Sequence, residues 1–74
     1  MRKDQIEEME KQLLLAYADC DMSALKTAML LHVHHNTVNY RMDRIQEKYG
    51  IDPRSFYGLV KLLEMAGGNN GKAN

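Results

Sequence analysis

The segment Leu31-His32-Val33-His34-His35-Asn36-Thr37-Val38-Asn39-Tyr40-Arg41-Met42 constrains this chain more than any other part of it. Its first half has the makings of a tight turn, His32-Val33-His34, with Val33 as an apolar plug. His34 is placed to cap the helix that follows, which runs from about His35 to Tyr49. Gly50 stops that helix in a position suited to a left-handed C-cap. At about 100° per residue, Val38, Met42, Ile45 and Tyr49 fall in one narrow arc and must face a core. The opposite arc holds Asn36, Thr37, Tyr40, Asp43, Arg44 and Glu47, with Asn39 on one shoulder and Arg41 on the other.

The flanking sequence reads as further helices. A first helix is expected from Asp4 to about Ala18, with Asp4 as cap, Glu7 completing a capping box, and Ile6, Met9, Leu13, Leu14 and Tyr17 as its buried stripe. Asp19, Cys20 and Asp21 break the pattern. Ser23 (or Asp21) then caps a short helix reaching Leu31, with Leu25, Ala28 and Met29 turned inward. Asp52-Pro53 starts a fourth helix, aspartate as cap and proline in the first helical position, with Phe56, Leu59, Val60 and Leu63 as its apolar face. The methionines, Tyr17 and Tyr49 are expected to fill the core. There is no internal repeat and no strand-period segment. The expected fold is all-α, a small helix-turn-helix domain of four to five helices over residues 1–66. The glycine- and asparagine-rich residues 67–74 form a tail expected to be disordered.

Size and composition exclude several function classes. A chain of 74 residues makes one domain that buries roughly 60% of its unfolded surface, which leaves little room for a catalytic cleft. No nucleophile–base pair and no phosphate-cradling glycine loop is present, so the chain is not expected to be an enzyme. Cys20 stands alone, which excludes an internal disulfide and a cysteine metal cage and fits a reducing cytoplasm. The longest apolar run is too short to span a bilayer, so a soluble protein with no membrane partner is expected. His32, His34 and His35 invite a metal reading, but they straddle a turn and a helix start, so their side chains diverge. No metal or cofactor is expected.

Net charge is zero, yet its distribution is uneven. Residues 1–22 hold three bases against six acids, a balance of −3; residues 23–61 hold six bases against three acids, a balance of +3. This asymmetry is compatible with one acidic and one basic face, and with modest affinity of a single copy for a polyanion. Two short helices joined by a tight turn are a means of placing the second helix in the major groove of DNA. The residue types suit that task. Asparagine pairs bidentately with adenine and arginine with guanine, while hydroxyls and backbone amides take phosphates. Asn36, Asn39 and Arg44 are candidates for base or phosphate contacts, and Thr37 and Tyr40 for phosphate contacts through their hydroxyls. Ser23, through the helix N-terminus it opens, and Lys26 are candidates for a further phosphate. Arg41 is placed to anchor a phosphate or a neighbouring acid, and His34 and His35 complete the candidate DNA-binding set.

Lys26-Thr27-Ala28, Leu31, Val33-His34, Asn36-Thr37-Val38, Tyr40-Arg41-Met42 and Arg44-Ile45 together resemble the C-terminal helix-turn-helix of PucR-type bacterial transcriptional regulators. The domain of the carbohydrate diacid regulators is similar, and both are akin to the Fis-type helix-turn-helix. The likeness runs from about Ile6 to Met65 and is sharpest from His34 to Arg41. It implies a DNA-binding domain that ends a longer regulator, with upstream domains that sense a small molecule or signal. Family members usually place arginine where His35 stands, and often arginine or another long polar residue where Asn39 stands. The expectation is therefore a cytoplasmic, sequence-specific double-stranded DNA binder acting in transcription regulation. It would work as a homodimer whose copies read half-sites about one helical turn, or a multiple, apart. The competing expectation is a helical dimerisation or protein-interaction module with weak or no DNA binding, favoured by the zero net charge, Asp43, Glu47 and the histidine at position 35.

Overall fold

A computed structural model of the protein describes residues 6–67. Asp4, expected as a helix cap, and most of the expected tail lie outside these residues. Four helices follow in order: α1 (Glu8–Asp19), α2 (Ala24–Leu31), α3 (His35–Tyr49) and α4 (Phe56–Met65). There is no strand among the described residues. α2 packs across α3, and α1 touches the other three helices. α3 thus packs on both α2 and α1.

Local chemistry sets each boundary. α1 begins at Glu8 with Glu7 as cap, three residues beyond the expected cap: the Glu7 amide donates to Glu10 Oε1 at 3.0 Å. Ser23 caps α2, its Oγ accepting from the Lys26 amide at 3.1 Å. His32 closes α2 in the left-handed region, φ 60°, so that the Val33 amide reaches back to the Ala28 carbonyl at 3.0 Å. Val33 is half-buried against the core, as its role of plug requires. Gly50, φ 69°, ends α3 and donates to the Gln46 carbonyl at 2.8 Å.

The start of α4 corrects the expectation of an Asp52 cap with Pro53 in the first turn. Pro53 is fully buried in a turn ahead of the helix. Ser55 is the cap, its Oγ accepting from the Gly58 amide at 2.9 Å. Serine three residues further on wins because Asp52 is engaged by the turn itself: its carboxylate accepts from the Arg54 amide at 2.9 Å.

The core is built from Leu13, Leu14 and Tyr17 of α1, Ala28 of α2, Val38, Met42 and Ile45 of α3, and Leu59 and Leu62 of α4, with Ile6 at its margin. On α3 the inward arc matches the expectation, with Tyr49 half-buried at its end. Elsewhere the inward faces differ. Leu25 (60% exposed), Met29 (68%) and Met9 point to solvent. Phe56 and Val60 are also exposed, and Leu62 takes the buried place on α4. On α2 the second buried residue is Thr27, fully enclosed because its hydroxyl donates to the Ser23 carbonyl at 2.7 Å. A satisfied hydroxyl is inexpensive to bury, which lets a small side chain stand where α2 comes close to its neighbours. Of the described methionines, only Met42 is in the buried core; Met22 and Met65 are half-buried beside it.

Candidate nucleic-acid interface

α3 presents to solvent the arc that its periodicity assigns. Asn36, Tyr40, Arg41, Asp43, Arg44 and Glu47 are exposed, while Thr37 and Asn39 are half-buried at its edges. His34 and His35 begin this face, their rings stacked with centroids 4.5 Å apart. His34 Nδ1 accepts from the Asn36 amide at 3.0 Å and so caps α3. An imidazole that accepts at Nδ1 carries its proton at Nε2 when neutral, so the exposed edge of His34 is a hydrogen-bond donor. The Thr37 amide donates to the His34 carbonyl at 2.9 Å and completes the first turn.

Tyr40 and Arg44, one turn apart, form a unit. Arg44 Nη1 donates to the Tyr40 hydroxyl oxygen at 3.1 Å, and its guanidinium carbon lies 5.9 Å from the ring centroid. The Tyr40 hydroxyl proton is left to donate outward. Arg44 Nε also stands 3.9 Å from Glu47, a contact between strongly exposed groups that is worth little. Arg41 borders a cleft of about 160 Å³ between α1 and α3, lined by Met9, Glu10, Leu13, Arg44 and Ile45. Ser23 and Lys26 stand at the start of α2, Lys26 exposed and Ser23 half-buried.

Two polar clusters that the sequence reading did not assign fix α3 from its flanks. On the α1 side, Lys48 Nζ lies 3.1 Å from Glu7 Oε2 and 3.2 Å from Glu10 Oε2. The Tyr49 hydroxyl donates to Glu10 Oε1 at 2.6 Å. The hydrogen bond to Glu7, with that to Glu10, holds the Lys48 ammonium firmly protonated against a smaller desolvation penalty. On the other side, Arg54 Nη2 donates to the Asn39 carbonyl and to Asp43 Oδ1, both at 3.0 Å, and lies 3.4 Å from Asn39 Oδ1. No sequence signal links Arg54 to α3, because it belongs to a polar turn fifteen positions beyond Asn39.

These contacts redistribute the charge of the face. Both acids on the exposed arc, Asp43 and Glu47, have an arginine beside them. Lys48 is engaged by α1, and among the described residues Arg41 makes no ion pair. Glu7 and Glu10 of the acidic first helix are turned toward Lys48. No group of three histidine, cysteine or acidic side chains that could hold a metal ion occurs among the described residues. Likewise no helix there is long and apolar enough to cross a membrane.

A cap-and-plug turn between two short helices, the second with its polar arc exposed, defines an all-α helix-turn-helix domain. The chain matches the PucR C-terminal helix-turn-helix domain family over residues 11–66, and it belongs to that family of DNA-binding transcription-regulator domains. No curated protein and no solved structure matches it.

Proposed function

We propose that this domain binds double-stranded DNA sequence-specifically, with α3 in the major groove and α2 crossing the backbone beside it. The observation that carries this reading is the exposed arc of α3. Asn36, Tyr40 and Arg44 stand free of the core at successive turns, and the acids among them are offset by Arg54 and Arg44. Asn36, Asn39 and Arg44 are the base-contact candidates. Thr37, Tyr40, Arg41, His34 and His35 take phosphates at the margins, and Ser23 and Lys26 take one at the start of α2. Two copies in a homodimer, joined to upstream sensor domains and acting in the cytoplasm, complete the proposal.

Titration of specific and scrambled duplexes across a salt series tests it. Specific binding whose log affinity falls linearly with log salt supports DNA recognition. No binding even at low salt, together with stable self-association, supports instead the helical interaction module. That second reading is favoured by one observation: an open, largely apolar groove lined by Ala18, Asp21, Met22, Phe56, Leu59, Val60 and Leu63, with Tyr57 of the same helix 82% exposed.

A further inference from the structure

Arg54 lies in the turn between α3 and α4 and is half-buried. Its amide is held by Asp52 Oδ1 at 2.9 Å and its neighbour Pro53 is fully buried, so the turn that aims its side chain is well anchored. From there Nη2 reaches three acceptors on one flank of α3: the Asn39 carbonyl at 3.0 Å, Asn39 Oδ1 at 3.4 Å and Asp43 Oδ1 at 3.0 Å.

The chemistry of the pair is one-sided. A guanidinium has donors only, whereas an asparagine amide has an oxygen that accepts and a nitrogen that donates. The two 3.0 Å bonds take the two Nη2 hydrogens, and Asn39 Oδ1 at 3.4 Å is a longer, shared contact; the amide orientation with Oδ1 toward Arg54 is still the one that avoids setting donor against donor. The Nδ2 hydrogens are then turned away from Arg54. An asparagine that is free to flip offers a base either a donor or an acceptor. One whose oxygen is engaged offers chiefly a donor, which suits guanine N7 and O6, adenine N7 or thymine O4 and mismatches the cytosine N4 amino group.

We propose that Arg54 is a positioning residue for base discrimination: by fixing the Asn39 amide with its nitrogen outward, it makes Asn39 a donor to the base it faces and selects against cytosine there. The inference rests on the DNA-reading role of α3. Arg54 acts through Asn39 and does not itself touch the base.

Selection from a randomised duplex pool, followed by affinity measurement on four duplexes differing at a single base pair, tests this on the full chain. Loss of discrimination in Asn39→Ala identifies the position that Asn39 faces. There the wild type is expected to disfavour cytosine by about fivefold or more, the usual scale of one mismatched pair. Arg54→Ala is expected to bring that discrimination within about twofold while preferences at other positions persist. The double variant Asn39→Ala/Arg54→Ala is expected to be no flatter than Asn39→Ala alone. Asp43→Asn in the Arg54→Ala background removes the uncovered carboxylate and is expected to restore affinity without restoring discrimination.

Asn39→Asp guards against a folding artefact, because it keeps an acceptor for Arg54 and replaces the outward donor by an acceptor. Its preference is expected to turn toward cytosine. Undiminished discrimination in Arg54→Ala, an unchanged preference in Asn39→Asp, or no position altered by Asn39→Ala overturns the inference while leaving the DNA reading standing. A wild-type domain with no site preference at all overturns the DNA reading, and this inference with it.

Discussion

The Tyr49 hydroxyl donates to the Glu10 carboxylate at 2.6 Å, joining the last turn of α3 to the first turn of α1. Burial works against the charge on Glu10. The hydrogen bonds from Tyr49, the Glu7 amide and Lys48 outweigh it and hold the carboxyl below its ordinary range. A carboxyl depressed in the folded state contributes stability above its unfolded pKa, and that contribution is lost as the pH falls through the folded value. Glu10→Gln keeps the capping geometry and removes the charge. It is expected to cost about 1 kcal/mol at pH 7, after allowance for partial exposure. Urea unfolding should show the gap between variant and wild type closing as the pH is taken below about 4. A gap that stays constant with pH contradicts the assignment.

His34 serves α3 with one nitrogen and solvent with the other. His34→Ala is expected to lose about 1 kcal/mol of stability through the missing cap, and His34→Ser to regain most of it. DNA affinity should remain reduced in His34→Ser, because the outward Nε2 donor is absent from both variants. Thermal melting and duplex titration on the same samples separate the two roles. Recovery of affinity along with stability would reduce His34 to a cap.

Asn36→Ala and Arg44→Ala are each expected to cost about 1–3 kcal/mol of specific binding where the side chain meets a base edge. If Arg44 meets a phosphate instead, its loss should weaken all sequences alike and lower the salt slope by about one. Tyr40→Phe removes the hydroxyl that accepts from Arg44 and should have a smaller effect than Arg44→Ala. Affinity titrations at matched salt decide, and unchanged affinity in both alanine variants removes these residues from the interface.

Gly58→Ala reverses the usual helix preference. In an exposed helix interior, alanine is favoured over glycine by about 1 kcal/mol. Here a Cβ on Gly58 would overlap the Asp52 carbonyl oxygen and come within 2.7 Å of the Ser55 Oγ that caps the helix. Because the nearest atom is backbone in a turn that also carries Pro53 and Arg54, the substitution is expected to destabilise by about 1–3 kcal/mol. A melting temperature equal to or above the wild type's would show that the turn yields freely.

What could be read from the sequence follows the strength of local signals. α3 was legible end to end, because fifteen residues of one amphipathic period lie between a capping histidine and a helix-stopping glycine. α2 is only eight residues long. In so short a segment Leu25 and Met29 fit an inward stripe as well as Thr27 and Ala28 do, and the Thr27 hydroxyl bond to the Ser23 carbonyl decides the matter. α4 was placed by its aspartate-proline pair, whose turn chemistry competes with capping. Half of its expected face packs on the core, through Leu59 and Leu63, whereas Phe56 and Val60 stay exposed despite their hydrophobicity. In the candidate site, Asn36, Tyr40 and Arg44 followed from helical spacing. Arg54 and the Lys48–Glu7–Glu10 cluster depend on tertiary proximity and leave no spacing in the chain.

α3 is pinned on one flank by Lys48 and Tyr49 and on the other by Arg54, while Val38, Met42 and Ile45 anchor its inner side. Folding and outward chemistry are thereby entrusted to separate sets of residues on one helix. Exchanges at Asn36, Tyr40 or Arg44 should change stability by only about 0.5 kcal/mol. The outward arc is therefore free to drift in evolution, or to be rewritten at the bench, toward new binding preferences while the scaffold beneath stays unaltered.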